Sequence, residues 1–181
     1  MELPLLKNAK DIKGKRVIVR VDINVPIENG KVKDDFRLRR ILPTLTYLKE
    51  NAARVILIGH HSNKSQTLEP IARHLNRFIK TSFVGDIFNT NLYNEKDTLF
   101  LCENLRFFKE EQENDYAFAQ KLASLGEVYV NEAFSVSHRE HASLISLPRL
   151  LPSYAGLLFE EEVTHLRMAF NPQRPFLFIL G

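Results

Sequence analysis

The strongest constraint on this chain is an alternation between fully apolar strand-like runs and helix-period stripes. Val17, Ile18, Val19 and Val21 form a β-branched run, and RVILIG at 54–59, TLFLC at 98–102, EVYV at 127–130 and PFLFIL at 175–180 repeat the signal. A strand that is apolar at every position is buried on both faces, the condition of a parallel sheet covered by helices. The intervening stretches supply those helices. Phe36, Leu38, Ile41, Leu42, Leu45 and Leu48 recur at helical spacing through Glu50, with Pro43 near the first turns or at a kink. Leu68, Ile71, Ala72, Leu75, Phe78 and Ile79 form a second stripe, and Asp115 caps a third with Tyr116, Phe118, Ala119, Leu122 and Ala123 inward. Phe159, Val163, Leu166 and Phe170 share one face of a fourth helix. With a short strand at 81–84, the predicted fold is α/β: a doubly wound parallel sheet of about six strands with helices on both faces.

The 181 residues suffice for one good-sized core, or at most two small ones. A net charge of +3, dispersed and without aromatic interleaving, argues against nucleic acid. Cys102 is the only cysteine, so no internal disulfide forms, consistent with a reducing compartment. No apolar run reaches membrane-spanning length, and the N-terminus MELPLLKNAKDIKGK has no signal-type apolar core. The expectation is a cytoplasmic monomer with neither membrane nor nucleic-acid partner. The chain stops at Gly181 directly after an apolar run, where an α/β unit normally continues, so a truncation is expected there.

Ligands of parallel sheets bind outside the carboxyl ends of the strands. Asp22 and Asn24 follow the first strand, then Pro26, an Asn29-Gly30 hairpin turn, and the helix-cap signal Asp34-Asp35 with Arg37 in the first turn. His60, His61, Ser62, Asn63 and Lys64 follow the second. Glu103, Asn104 and Arg106 follow TLFLC, and Asn131, Glu132, Ser137, His138, Arg139 and His141 follow EVYV. Arg37, Arg106 and Arg139, aided by His60 and His138, make a basic pocket suited to a compact polyanion with hydroxyls. The plainer alternative pairs Arg106 with Glu103 or Glu110 and leaves each basic group structural. His138 and His141 lack the further ligands of a zinc site, and Cys102 sits in an apolar strand. There is no glycine-rich loop to cradle a nucleotide.

RVIVRVDINVP, DDFRLRRILPTLTYL, LCENLRFFKEEQEND, LASLGEVYVNEAF, SHREHAS, YAGLLFEEEV and RPFLFILG, in this order, resemble the N-terminal half of phosphoglycerate kinases. The resemblance implies that residues 1–181 form the phosphoglycerate-binding domain, with a C-terminal domain beyond them binding Mg-ADP or Mg-ATP. It implies reversible phosphoryl transfer between 1,3-bisphosphoglycerate and ADP by the whole protein. The fragment is expected to bind 3-phosphoglycerate without turning it over, and to hold neither cofactor nor metal. Asp22 and Asn24 match acceptors for the glycerate, and Arg37 matches the arginine that stabilises the phosphoryl group in flight. His60, Arg106 and Arg139 match the patch around the substrate phosphate. Where the family usually reads His-Leu-Gly-Arg-Pro, this chain has His60-His61-Ser62-Asn63-Lys64, so Asn63 stands at an arginine position with Lys64 beside it as a replacement charge. Lys64 and His138 are accessory candidates. The alternative is a degenerate, non-catalytic binding module of the same family.

Overall fold

The computed structural model describes residues 3–10, 12–51, 54–89, 91, 97–170, 172–177 and 179. In chain order the elements are β1 (Arg16–Val21), the hairpin strands β2 (Ile27–Glu28) and β3 (Lys31–Val32), α1 (Phe36–Arg40), α2 (Leu42–Asn51) and β4 (Arg54–Ile58). Then come α3 (Glu69–Leu75), β5 (Ser82–Val84), β6 (Leu99–Cys102), α4 (Lys109–Gln112), α5 (Tyr116–Ala123) and β7 (Val128–Glu132). The last three are α6 (Leu147–Leu150), β8 (Ser153–Ala155) and α7 (Leu157–Met168). Six strands pair in parallel in the order β5-β6-β4-β1-β7-β8.

Alternate residues of the apolar strands serve opposite faces, as the pleat requires. Val17, Val19, Val21, Val55, Leu57, Leu99, Leu101, Val128 and Val130 pack on one side with Leu38, Ile41, Leu45, Leu48, Ile71 and Leu75. Ile18, Ile56, Ile58, Phe100, Cys102 and Tyr129 pack on the other with Phe118, Ala119, Leu122 and Leu147. Two cores on two faces make the sheet doubly wound, as the apolar runs predict. The Asn29-Gly30 turn has both residues at positive φ (51° and 69°), the left-handed pair that a tight hairpin demands. Pro43 falls in the first turn of α2, just past the break at Ile41.

Several expectations need correction. The sixth strand is β8, which sequence periodicity misses because it is three residues long, not PFLFIL. Among the described residues of that run, Pro175, Phe176, Leu177 and Ile179 form no strand, and the last three are exposed; Phe178 and Leu180 lie outside the described residues. An apolar run becomes a strand only beside a free ladder. The outer edge of β8 is taken, since Leu5 bridges Ala155 and Pro4 O accepts from Ala155 N at 2.7 Å. In α7 the expected inward face is largely open: Leu166 and Phe170 are exposed, and Leu158 packs against the core instead. Phe36 and Tyr116 are also exposed, each at the first residue of its helix.

Two polar anchors fix the helices. Asp35 accepts from Arg39 Nε at 2.8 Å and bonds His74 Nε2 at 2.9 Å, tying α1 to α3. The bond from Arg39, then that from His74, holds its carboxyl down at about 2. Glu132 is buried at the end of β7 and accepts from the α7 amides of Leu158 (3.1 Å) and Phe159 (3.3 Å). It caps that helix in place of a local side chain, and Thr44 Oγ1 donates to it as well. A Cβ on Gly156 would collide with the Glu132 carboxyl.

Gly156→Ala is therefore expected to lower stability by about 1–3 kcal/mol in urea denaturation. Gly85→Ala, whose Cβ meets only Phe83 at 3.7 Å, should change it by less than about 0.5 kcal/mol. Asp35 is ionised in the folded state well below its ordinary value near 3.8. Its contribution is thus complete above that value and lost as pH falls through about 2. The stability gap between wild type and Asp35→Asn, followed in denaturant melts across this window, should close as the pH is lowered.

Candidate functional site

Four neighbouring strands, β6-β4-β1-β7, deliver the polar residues that follow them to one rim. Asp22, just past β1, accepts from Asn24 N at 3.2 Å through Oδ1. Its Oδ2 accepts from Ser135 Oγ at 2.6 Å and from Arg37 Nη1. Asn24 Oδ1 accepts from Ser62 N at 2.9 Å, and the carbonyl of Ser62 accepts from Arg106 Nη1 at 3.2 Å. The β1, β4 and β6 loops are thus stitched into a continuous polar line from Arg37 to Arg106.

His60 lies below this line, buried at the end of β4. Its Nδ1 meets Arg20 Nη2 at 2.6 Å, and its Nε2 faces Arg139 Nη1 at 3.4 Å. Burial, then the guanidiniums of Arg20, Arg106 and Arg139, hold its pKa down at about 2. Burial and the same arginines lower His141 to about 4. Arg106 is shifted down too, by burial first and then by Arg139 and Arg20. Burial is the first cause of each of these shifts, and the neighbouring guanidiniums add to it in the same direction.

The plainer reading of Arg106 fails on geometry. Glu103 is spent on Thr67 Oγ1 (2.6 Å), Leu68 N (2.8 Å) and Asn104 N (2.7 Å). Among the described residues no carboxylate forms an ion pair with Arg106 or Arg139, and Arg106 Nε is buried without a partner. A buried guanidinium nitrogen left unmatched costs about 1–3 kcal/mol, which an anion would return.

Arg37 stands at one end of the rim, half exposed and held by Asp22. It lines an open cleft of about 320 Å³ with Asp22, Phe36, Arg40, Glu132, Phe134, Ser135, Leu158 and Glu162. The structure therefore places Arg37 on the same rim as Arg106 and Arg139 but at its far end, one polar relay away. Asn63 is exposed, and its Oδ1 accepts from Ser65 N at 2.9 Å, closing a local turn. Lys64 and His138 are exposed.

Sequence reasoning passed over Arg20, Glu111, Ser143 and Ser135. Arg20 carries a readable signal, since a charge inside a strand buried on both faces must find partners there. Glu111 and Ser143 carry none, because only the fold brings residues 32 positions apart to the same guanidinium.

A family model described as phosphoglycerate kinase matches residues 6–181. The phosphoglycerate kinase of Coprothermobacter proteolyticus is 45% identical over 197 residues, covering 100% of this chain and 50% of that protein. That of Dictyoglomus turgidum is 42% identical over 185 residues, covering 95% and 47%. The structure of phosphoglycerate kinase from Coxiella burnetii superposes with a TM-score of 0.86 at 33% identity, covering 96% of this chain and 47% of that one. The enzyme from Pyrococcus horikoshii gives 0.85 at 30% identity, covering 94% and 46%. The chain spans about half the length of the curated relatives it matches. Matched from its first helical turn onward in sequence and over nearly all of its backbone in structure, the chain belongs to the phosphoglycerate kinase family.

Proposed function

We propose that these residues form the substrate half of a phosphoglycerate kinase, binding 3-phosphoglycerate or 1,3-bisphosphoglycerate. The whole protein would move a phosphoryl group reversibly between 1,3-bisphosphoglycerate and ADP, as a monomer in the cytoplasm. The observation that carries this reading is the pair of guanidiniums of Arg106 and Arg139 beside the neutral His60, without a carboxylate partner among the described residues and with the buried Nε of Arg106 lacking an acceptor. A phosphate offers several anionic oxygens to such a fork, which a carboxylate partner in the protein does not do here. Asp22 and Asn24, between this cluster and Arg37, are placed for the hydroxyl and carboxylate region of the three-carbon acid. In this reading Arg37, at the far end of the rim, meets the second phosphoryl group of the bisphosphate.

Phosphoryl transfer leaves the protein mostly alignment and charge neutralisation. The residues described here act on the acid. Among them no group of three or more His, Cys, Asp or Glu side chains is arranged to hold a metal ion, and the family resemblance assigns Mg-ADP or Mg-ATP to a second domain of the same protein. Arg37 is already tethered by Asp22, so it need not be reoriented to meet charge developing at the transferred group. The reading includes neither a membrane nor a nucleic-acid partner; net charge is +3, and no helix among the described residues is long and apolar enough to cross a bilayer.

Asn63 favours a second reading, a binding module that has lost catalysis, because it removes one guanidinium and spends its own amide oxygen on a local turn. Normal turnover by a protein carrying both halves eliminates that reading.

Calorimetric titration of this chain with 3-phosphoglycerate should show one site, and absence of heat at millimolar ligand overturns the proposal. Arg106→Ala should weaken that binding by about tenfold to a hundredfold, the loss of one charge-assisted fork. Arg37→Ala, assayed in a protein that also carries the nucleotide domain, should lower kcat by about a thousandfold. Its effect on affinity for 3-phosphoglycerate should stay within about tenfold; equal losses in both would contradict a transition-state role.

A further inference from the structure

Arg20, next to the last residue of β1, points into a space without solvent, and none of the ligand contacts above uses it. Its Nε donates to Ser143 Oγ at 3.0 Å and its Nη1 to the carbonyl of Val21 at 2.6 Å, while Nη2 lies 2.6 Å from His60 Nδ1. Ser143 is itself fixed. Its Oγ donates to Glu111 Oε1, its amide donates to Glu111 Oε2 at 2.9 Å, and its carbonyl accepts from Tyr129 OH at 2.9 Å. All of these groups are buried.

A guanidinium carries donors and no lone pair. The imidazole nitrogen 2.6 Å from Arg20 must therefore be the acceptor, and in a neutral ring the hydrogen then sits on Nε2. The ring is neutral at physiological pH, being buried among Arg20, Arg106, Arg139 and His141. Across the 3.4 Å to Arg139 Nη1, two donors consequently face each other and cannot bond. Both are left to an acceptor placed between them. In the opposite tautomer Nε2 would offer a lone pair to Arg139, and that guanidinium would be consumed inside the protein.

We propose that Arg20 is a positioning residue: by taking the Nδ1 lone pair of His60 it fixes the Nε2–H tautomer, so that His60 and Arg139 both present donors to the substrate phosphate. The assignment rests on the reading of the rim as a phosphate site. Ser143 and Glu111 hold the plane of Arg20, and therefore its aim, without touching ligand.

The tautomer of His60 is read directly by long-range ¹H–¹⁵N NMR on the ligand-free chain, and affinity by calorimetry with 3-phosphoglycerate. Wild type should show Nδ1 unprotonated and Nε2 protonated. In Arg20→Met the population should move toward Nδ1–H, and affinity should fall about tenfold or more. Arg139→Ala should then cost much less in the Arg20→Met background than in wild type, because Arg139 is already engaged by His60. Should Arg20→Met fail to fold, Ser143→Ala keeps the guanidinium but removes the acceptor of its Nε, and should move both readouts the same way by less. A chain that binds 3-phosphoglycerate while the tautomer is indifferent to these substitutions overturns the positioning role and leaves the site reading intact. A wild-type chain that binds no 3-phosphoglycerate overturns the site reading, and this assignment with it, whatever the tautomer.

Discussion

A guanidinium cut off from water must have its donors matched by the protein, and Arg20 meets that demand near the carboxyl end of β1, inside the sheet. The demand spreads outward. Ser143 must be held by Glu111, Glu111 must be buried beside it, and the loop after β7 must return to the sheet to bring Ser143 there. Replacing such a network with apolar groups can be neutral for stability, whereas removing one member strands the rest. The interior under the rim is thus committed as a unit. That commitment gives Arg106 and Arg139 a rigid positive floor.

The same floor carries a cost in the unliganded state. Arg20, Arg106 and Arg139 repel one another, and Glu111, with Asp22 acting on Arg20, opposes them. His60 and His141 respond by staying uncharged, which removes two further positive charges that the cluster could not accommodate. A neutral histidine still donates a hydrogen bond, so the site keeps the donor and sheds the charge. Burial achieves this through desolvation, with the arginines reinforcing it.

Much of the architecture was legible because the strands are apolar on both faces, and Ile18 and Val19 could not be satisfied by any sheet with a wet side. Four strand ends also announced the rim, since Asp22, His60, Arg106 and Arg139 follow their strands directly or within one loop. The failures have physical reasons. β8 is too short to show a period, and the apolar run at 175–180 looks like a strand in isolation but finds no ladder among the described residues. Arg106 and Glu103 are close in sequence, yet the carboxylate is claimed by the start of α3. Local proximity could not reveal that competition. Asn63 follows its strand as well, and its Oδ1 is engaged by the amide of Ser65, a local bond that no spacing in the sequence announces.

The seam between Pro4–Leu5 and β8 does more than fill a gap. An open parallel sheet ends in a row of unmet amide and carbonyl groups, and such a border recruits other chains as readily as its own. Here the first described residues are drawn across that border like a hem. Fusions or substitutions that lift Pro4 and Leu5 away would therefore act far from the rim, leaving a fold prone to sticking edge to edge.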